Sequence, residues 1–444
     1  MASETPRQIV HIAMSAFALL LRVLTWWQAA LCAVAAVLFN VVVLPRIGGR
    51  SLSRPADLAR GYPLGIVIYP IAVLVLILAF PARLDIVAAA WGIMAFGDGA
   101  ATLAGRRWGR HRLAWNPLKT AQGLTAFIVA GGAAGVALAW WVAPAVTPRP
   151  GILFLLLAPL SAALAAGLAE TIPIALDDNV TVPAVAGAVL GLCSLASAAA
   201  WETGRSAIAA NLAPALAVNT VAALAGWRLG TVRLSGMLTG WAIGVIVYSS
   251  LGLRGWVLLF ATFGLAAVTS RLGLGRKTLL GIQEERGGRR GGGSAFANTG
   301  LAAVAALVAA VTPFREAALL AFVAALATGG GDTTASEIGK AFGGRTYVPA
   351  RLTQARPGTP GAVSLEGSVG GVIGALVLAA AGAWLGLIPW WAVWAALAGA
   401  VAGSMVESAL ASTLEASNVV NNDVLNFINT ATGAAVALIV ARLS

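Results

Sequence analysis

Apolar stretches follow one another along almost the whole chain, and each approaches the length needed to cross a lipid bilayer. They cover residues 8–22, 26–44, 62–80, 84–103, 121–143, 152–170, 183–201, 206–225, 234–251, 255–270, 295–312, 316–330, 364–385, 389–408 and 424–442. A straight membrane helix needs about 20 apolar residues, so the shorter stretches are expected to be re-entrant or broken, and the reading is about 13–15 spans. Of 444 residues, 59% are hydrophobic and 10% charged, against about 25% charged in a soluble domain. Lipid offers backbone groups no hydrogen-bond partner, and segments of this length satisfy their own as helices. The expected fold is all-α, a polytopic transmembrane helical protein.

The formal net charge is +12. Its carriers lie between the apolar stretches: Arg46, Arg50, Arg54 and Arg60; Arg106, Arg107, Arg110, Arg112 and Lys119; Arg271, Arg276, Lys277, Arg286, Arg289 and Arg290; Lys340, Arg345, Arg351 and Arg356. With these spans all four groups fall on one side, which the bias of Lys and Arg makes the cytoplasmic side of a bacterial inner membrane. Membrane topology accounts for the charge, so no nucleic-acid partner is expected. The same loops suit an anionic substrate. Cys32 and Cys193 read as small core residues, and His11, four residues after Arg7, as a packed histidine.

An internal repeat organises the polar residues. GDGAATLAGRRWG (97–109) and GDTTASEIGKAFG (331–343) align without gaps, pairing Gly97 with Gly331, Asp98 with Asp332, Ala101 with Ala335, Thr102 with Ser336, Gly105 with Gly339, Arg106 with Lys340 and Gly109 with Gly343. Lys119-Thr120 to Gly123 precedes one apolar stretch, as Ser364 to Gly367 precedes another. Each half then closes on acids and amides: Glu170, Asp177, Asp178 and Asn179, then Glu407, Glu415, Asn418, Asn421, Asn422 and Asp423. Three motifs in one order, twice, indicate duplication of one unit, with halves at 1–205 and 206–444.

Asp98 ends an apolar stretch, where a carboxylate is expensive unless it is paired or binds something. A helix cap or a salt bridge to Arg106 or Arg107 would satisfy one such residue; its repetition at Asp332 favours a functional role. Gly97, Gly99 and Gly331 would let backbone approach a ligand. Arg106, Arg107, Arg110 and Lys119 suit phosphate oxygens. A carboxylate near phosphates suits Mg²⁺, which takes one or two protein carboxylates and fills its shell with water and phosphate. Glu170 and Asp177 are spaced to share one helix face if the helix continues that far. The chemistry is that of a metal-assisted phosphate or nucleotide site working by positioning and charge stabilisation. Neither a GxxxxGK[ST] loop nor the protein-kinase motifs occur.

These residues also carry family resemblances. PRQIVHI (6–12), FGDGAATLAGRRWGRHRLAWNPLKTAQG (96–123) and AETIPIALDDNVTVP (169–183) resemble the phytol kinase and dolichol kinase group, membrane enzymes related to phosphatidate cytidylyltransferases; Gln8 stands where the group usually has Lys. GGDTTASEIGKAFG (330–343), RPGTPGAVSLEGSVGG (356–371) and GSMVESALASTLEASNVVNND (403–423) resemble the phytyl-phosphate kinase family, which often has Asp and Gln where this chain has Glu407 and Glu415. The resemblances imply two successive steps on one lipid, phytol to phytyl phosphate and then to phytyl diphosphate, with Mg²⁺ and with CTP as donor, as in phytol salvage toward tocopherol. On this reading Asp98 with Asp177 or Asp178 binds Mg²⁺, and Glu170 or Asp178 is the base. Gly97, Gly99, Arg106, Arg107, Asn116 and Lys119 meet the nucleotide. In the second half Asp332 and Glu407 take the acidic roles. Gly331, Lys340, Arg351, Arg356 and Ser364 meet phosphates there, and Asn418 and Asn422 join Asp332 at the metal. A kinase pair for another polyprenol, a CDP-lipid-forming cytidylyltransferase and a duplicated transporter are the alternatives.

Overall fold

The computed structural model describes residues 12–44, 46, 64–281, 291–349 and 353–443. His11, the Arg7–Gln8 pair, Arg50, Arg54, Arg60, Arg286, Arg289, Arg290 and Arg351 lie outside the described residues. The protein is a polytopic, almost wholly helical membrane protein. Eleven described helices are long and apolar enough to cross a bilayer, and three shorter apolar helices, Ile12–Arg22, Ile66–Ala79 and Asp178–Ser194, accompany them. The chain forms two compact units, Met1–Ser194 and Leu195–Ser444. The boundary expected between residues 205 and 206 falls inside a helix of the second unit, Ala198–Arg228.

In the first unit the helices are α1 (Trp26–Leu38), α2 (Leu64–Ala79), α3 (Leu84–Trp108), α4 (Ala121–Val142), α5 (Ile152–Glu170) and α6 (Asp178–Ser194). A two-stranded hairpin, β1 (Arg112–Leu113) and β2 (Asn116–Thr120), joins α3 to α4. Lipid gives no hydrophobic drive between helices, so close van der Waals contact of small residues has to hold them. Gly131 supplies it between α3 and α4: a Cβ there would stand 3.3 Å from the Cα of Gly97. A Cβ on Gly135 would stand 2.9 Å from Ile93. The core is α3 itself, buried without interruption from Leu84 to Ala95.

The second unit contains α7 (Ala198–Arg228), α8 (Leu234–Arg271), α9 (Leu274–Leu279), α10 (Gly292–Val311), α11 (Arg315–Phe342), α12 (Leu365–Trp384), α13 (Ala392–Leu410) and α14 (Asn422–Leu443). Three short strands, β3 (Thr346–Val348), β4 (Thr353–Ala355) and β5 (Val363–Ser364), pair in the order β4-β3-β5 between α11 and α12. Helix α8 covers two of the expected stretches, and its backbone breaks at Gly252, where φ is +68°. The break reverses the chain. Ser235, at the start of α8, accepts a hydrogen bond from Gly292 N at 3.2 Å. Arg276, just past its end, donates to the carbonyls of Ala341 and Gly343 at 3.2 and 2.5 Å. Gly292 begins α10 and Gly343 follows α11, and these two helices form an antiparallel pair joined by 312–314. Both ends of α8 therefore reach one face, which also holds the β3–β5 sheet and the segment between α13 and α14.

Candidate functional site

Asp98 lies within α3, Glu170 is the last residue of α5, and Asp178 is the first of α6. Helix α5 stops at Glu170 because Thr171 and Pro173 follow. Asp177 starts α6 as its cap, with Oδ1 accepting from Asn179 N at 2.9 Å and its carbonyl accepting from Val180 N at 2.8 Å. The shared helix face expected for Glu170 and Asp177 is thus replaced by a turn between two helices. That turn brings Asp178 to the other acids: one carboxylate oxygen from each of Asp98, Glu170 and Asp178 lies within 4.8 Å of the others. Glu170 is buried, and Asp98 and Asp178 are half-buried.

Lys119 enters this cluster from β2. Its ammonium is paired with Glu170 and stands 3.7 Å from Asp178 Oδ2. Burial pushes the Lys119 pKa down, but Asp178 and Glu170 push it further up, so it lies above the ordinary lysine value. The hairpin is fastened to the end of α5. Asn116 Nδ2 donates to Thr171 O and Trp115 Nε1 donates to Thr171 Oγ1, each at 3.0 Å. Asn116, Lys119, Glu170 and Asp178 line an open cavity of 310 Å³ together with Leu118, Ile172, Pro173, Ile174 and Leu176. Charged and apolar side chains thus line one cavity, the combination an amphiphile requires.

Several expected roles resolve differently. Asn116 spends its amide on Thr171 O and on Leu118 N, 3.1 Å away, and so holds the hairpin in place. Asp177 is a helix cap. Gly97 faces the ring of Phe127, where a Cβ would come within 2.8 Å, and Gly331 faces Gly371 O and Ala375, where a Cβ would come within 2.9 Å. Both glycines serve helix packing. Gly99 is buried within α3. Arg106 and Arg107 are exposed on the last turn of α3, with Arg107 5.8 Å from the Trp108 ring centroid.

The second unit carries a related arrangement. Thr120 Oγ1 accepts from Gly123 N at 3.1 Å to cap α4, and Ser364 Oγ accepts from Gly367 N at 3.1 Å to cap α12. A Cβ on Gly105 would lie 3.3 Å from Thr120 Oγ1, and one on Gly339 the same 3.3 Å from Ser364 Oγ. The Ser364 hydroxyl is therefore a cap. Asp332 on α11 and Glu407 on α13 are in hydrogen-bond contact, with Glu415 near Glu407. Asn418, at φ +56°, and Asn422 are at least partly exposed. The amide that reaches Glu407 is that of Asn429, whose Nδ2 donates to Oε2 at 2.5 Å. Lys340 lies 3.4 Å from Glu337, which also pairs at 2.5 Å with the buried Lys277 of α9. Arg356 is exposed in a turn closed by Thr359 N on its carbonyl. Glu337 lies within the second motif but opposite Leu103 of the first, Lys277 read only as one of a group of loop cations, and Asn429 offered only its polarity within apolar surroundings as a signal.

The first cluster suits a small hard cation. Mg²⁺ binds oxygen at about 2.0–2.1 Å and accepts one or two carboxylates beside water, and three acidic side chains within 4.8 Å offer more than that. Residues 217–434 match the family model described as integral membrane protein DUF92. The chain is 34% identical over 201 residues to the uncharacterized membrane protein sll0875 of Synechocystis, which covers 45% of this chain and 78% of that protein. It is 32% identical over 158 residues to Protein VTE6, chloroplastic, of Arabidopsis thaliana, covering 35% of this chain and about half, 47%, of that relative. No solved structure matches the chain. By the extent of these matches the chain belongs to the DUF92 family of integral membrane proteins.

Proposed function

We propose that the chain is a pair of prenyl-lipid kinases acting in sequence at one membrane face. The first unit would convert a prenyl alcohol, phytol in the first instance, to its monophosphate. The second would add the next phosphate, with CTP as donor in both. The observation that carries this reading is the meeting of Asp98, Glu170 and Asp178 with Lys119 at a cavity that apolar residues also line. The family resemblances of both halves support it, as do the matching caps at Thr120 and Ser364.

In the first unit the lipid hydroxyl attacks the γ-phosphorus, the bond to the β–γ bridging oxygen breaks, and CDP leaves. Glu170 makes the closer pair with Lys119, and Asp178, 3.7 Å from the same ammonium and more exposed, would take the hydroxyl proton. Asp98 would hold Mg²⁺ with phosphate oxygens and water, and the ion would neutralise charge on the phosphates. Arg106 and Arg107, exposed at the end of α3, would meet the nucleotide. In the second unit the nucleophile is already an ionised phosphate oxygen, so Asp332 and Glu407 need not act as bases. The concentration of Lys and Arg on the motif side favours the cytoplasm as the working face, and a bacterial inner membrane as the setting.

The test is turnover by purified protein in detergent with Mg²⁺, phytol and γ-labelled CTP. Label should enter the lipid as monophosphate and then diphosphate. D98N should abolish the first step, and D332N should let monophosphate accumulate. Label from the α-phosphate in lipid would establish nucleotidyl transfer instead. No label from any donor or prenyl alcohol would overturn the kinase reading.

A further inference from the structure

Asn429 is 1% exposed. Its Nδ2 is spent on Glu407, while its Oδ1 is buried without a hydrogen-bond partner. Buried amide oxygens are almost always paired, because they have given up water. The backbone around this one makes room for it. Gly403 lies one turn before Glu407 on α13, and a Cβ there would stand 2.4 Å from Asn429 Oδ1 and 2.9 Å from Thr328 Cγ2. Thr328 lies one turn before Asp332 on α11, and its hydroxyl is committed to Ala324 O at 2.7 Å. The orphaned oxygen thus lies where the face of α13 that carries Glu407 meets the face of α11 that carries Asp332.

Comparison of the two units sharpens the point. Asn421 caps α14 by accepting from Val424 N at 3.0 Å, as Asp177 caps α6. Superposing these caps in sequence sets Asn422 against Asp178 and Asn429 against Val185. Superposing the caps at Thr120 and Ser364 sets Val363 against Lys119. In the same register Leu414 stands against Glu170 and Ala163 against Glu407, so the second cluster takes its glutamate from a different position, has neutral residues in place of Asp178 and Lys119, and has a buried amide where the first unit has Val185. In the first unit a lysine of the chain itself sits against the buried glutamate. In the second, Glu407 faces a carboxylate and an amide that has one oxygen to spare.

We infer that Asp332, Glu407 and the Oδ1 of Asn429 form a divalent-cation site in the second unit that fills without nucleotide. The donor set is oxygen only, which suits Mg²⁺ or Mn²⁺. Asn418 and Asn422, both exposed, fall outside this ligand set. The inference stands on the geometry of this unit and not on the kinase reading, so a failed turnover assay leaves it untouched.

The experiment is Mn²⁺ binding to the full-length protein in detergent, without nucleotide, read from the loss of the free-ion electron paramagnetic resonance signal. A D98N background takes one of three carboxylates from the first cluster, and with every second-unit variant read in that background any Mn²⁺ left there is constant. The expected result is a Mn²⁺ site that Mg²⁺ displaces, weakened at least tenfold by N429L, retained by N429D and unchanged by N422A. Should N429L not fold, N429D and E407Q decide: binding kept in the first and lost in the second supports the site. No bound Mn²⁺ in the D98N background, or wild-type affinity in both N429L and E407Q, would overturn it, leaving Asp332 and Glu407 held together by a shared proton.

Discussion

Replacing Lys119 by methionine tests the first cluster directly. The substitution keeps the length of the side chain and removes its charge. Glu170 is then left with 5% of its side chain exposed beside Asp98 and Asp178, all within 4.8 Å. Two unit charges at that separation repel by about 3.5 kcal/mol at an effective dielectric near 20. Removing one partner of a fully buried pair costs about 3–5 kcal/mol. Lys119 is 33% exposed, and solvent screening reduces the figure, so the expected loss of stability is about 1–3 kcal/mol. Adding E170Q to K119M removes the stranded charge and should recover most of it, giving a coupling of about 1–2 kcal/mol in a double-mutant cycle. Millimolar Mg²⁺ should also stabilise K119M more than the wild type, because the ion can take the place of the ammonium. The assay is unfolding by SDS titration in mixed micelles, followed by circular dichroism. Stability of K119M within about 0.5 kcal/mol of wild type, with coupling equally small, would refute the claim that Lys119 balances this cluster.

Gly399 packs against Gly433, where a Cβ would come within 2.2 Å of the carbonyl oxygen. G399A should therefore cost about 1–3 kcal/mol in the same titration. A Cβ on Gly264 would meet nothing within 4 Å, so G264A should be neutral or stabilising by up to about 1 kcal/mol. At Gly252 φ is +68° and ψ −161°, a region open essentially to glycine alone, so G252A should cost about 1–3 kcal/mol and lower the unfolding midpoint accordingly. With phytol and phytyl phosphate supplied in separate turnover assays, D98N should lose only the first step and D332N only the second, which thin-layer separation of lipid monophosphate and diphosphate reads; loss of both steps in either variant would contradict two separate sites.

Each expected apolar stretch meets a helix, because length and hydropathy in lipid leave the backbone little else to do. The stretches 234–251 and 255–270 are two helical passes, as expected; what periodicity could not give was their junction, a direct turn at Gly252 with no loop between them. The acids Asp98, Glu170 and Asp178 were legible, since carboxylates are costly in apolar surroundings and these recur in motifs. Their meeting was not, because it depends on a turn at 171–177 that ends one helix and starts another. The glycines beside Asp98 and Asp332 read equally well as ligand cradles or packing faces, and only the position of Phe127 and Ala375 separates the two. Asn429 was hidden for a different reason: its partner, Glu407, lies on another helix, and nothing local announces the contact.

The break at Gly252 has a consequence for how the second unit is threaded into lipid. Helix α8 holds 38 residues, and at about 1.5 Å per residue a straight rod of that length would be nearly twice the thickness of the hydrocarbon layer. Folded at Gly252, it makes two passes, an even number, and returns the chain to the leaflet it left. An odd number would deliver Arg276 and Lys277 to the wrong leaflet, away from the carbonyls at the end of α11 and from Glu337. One residue without a side chain therefore sets the parity of the insertion, and with it which cations can find their partners.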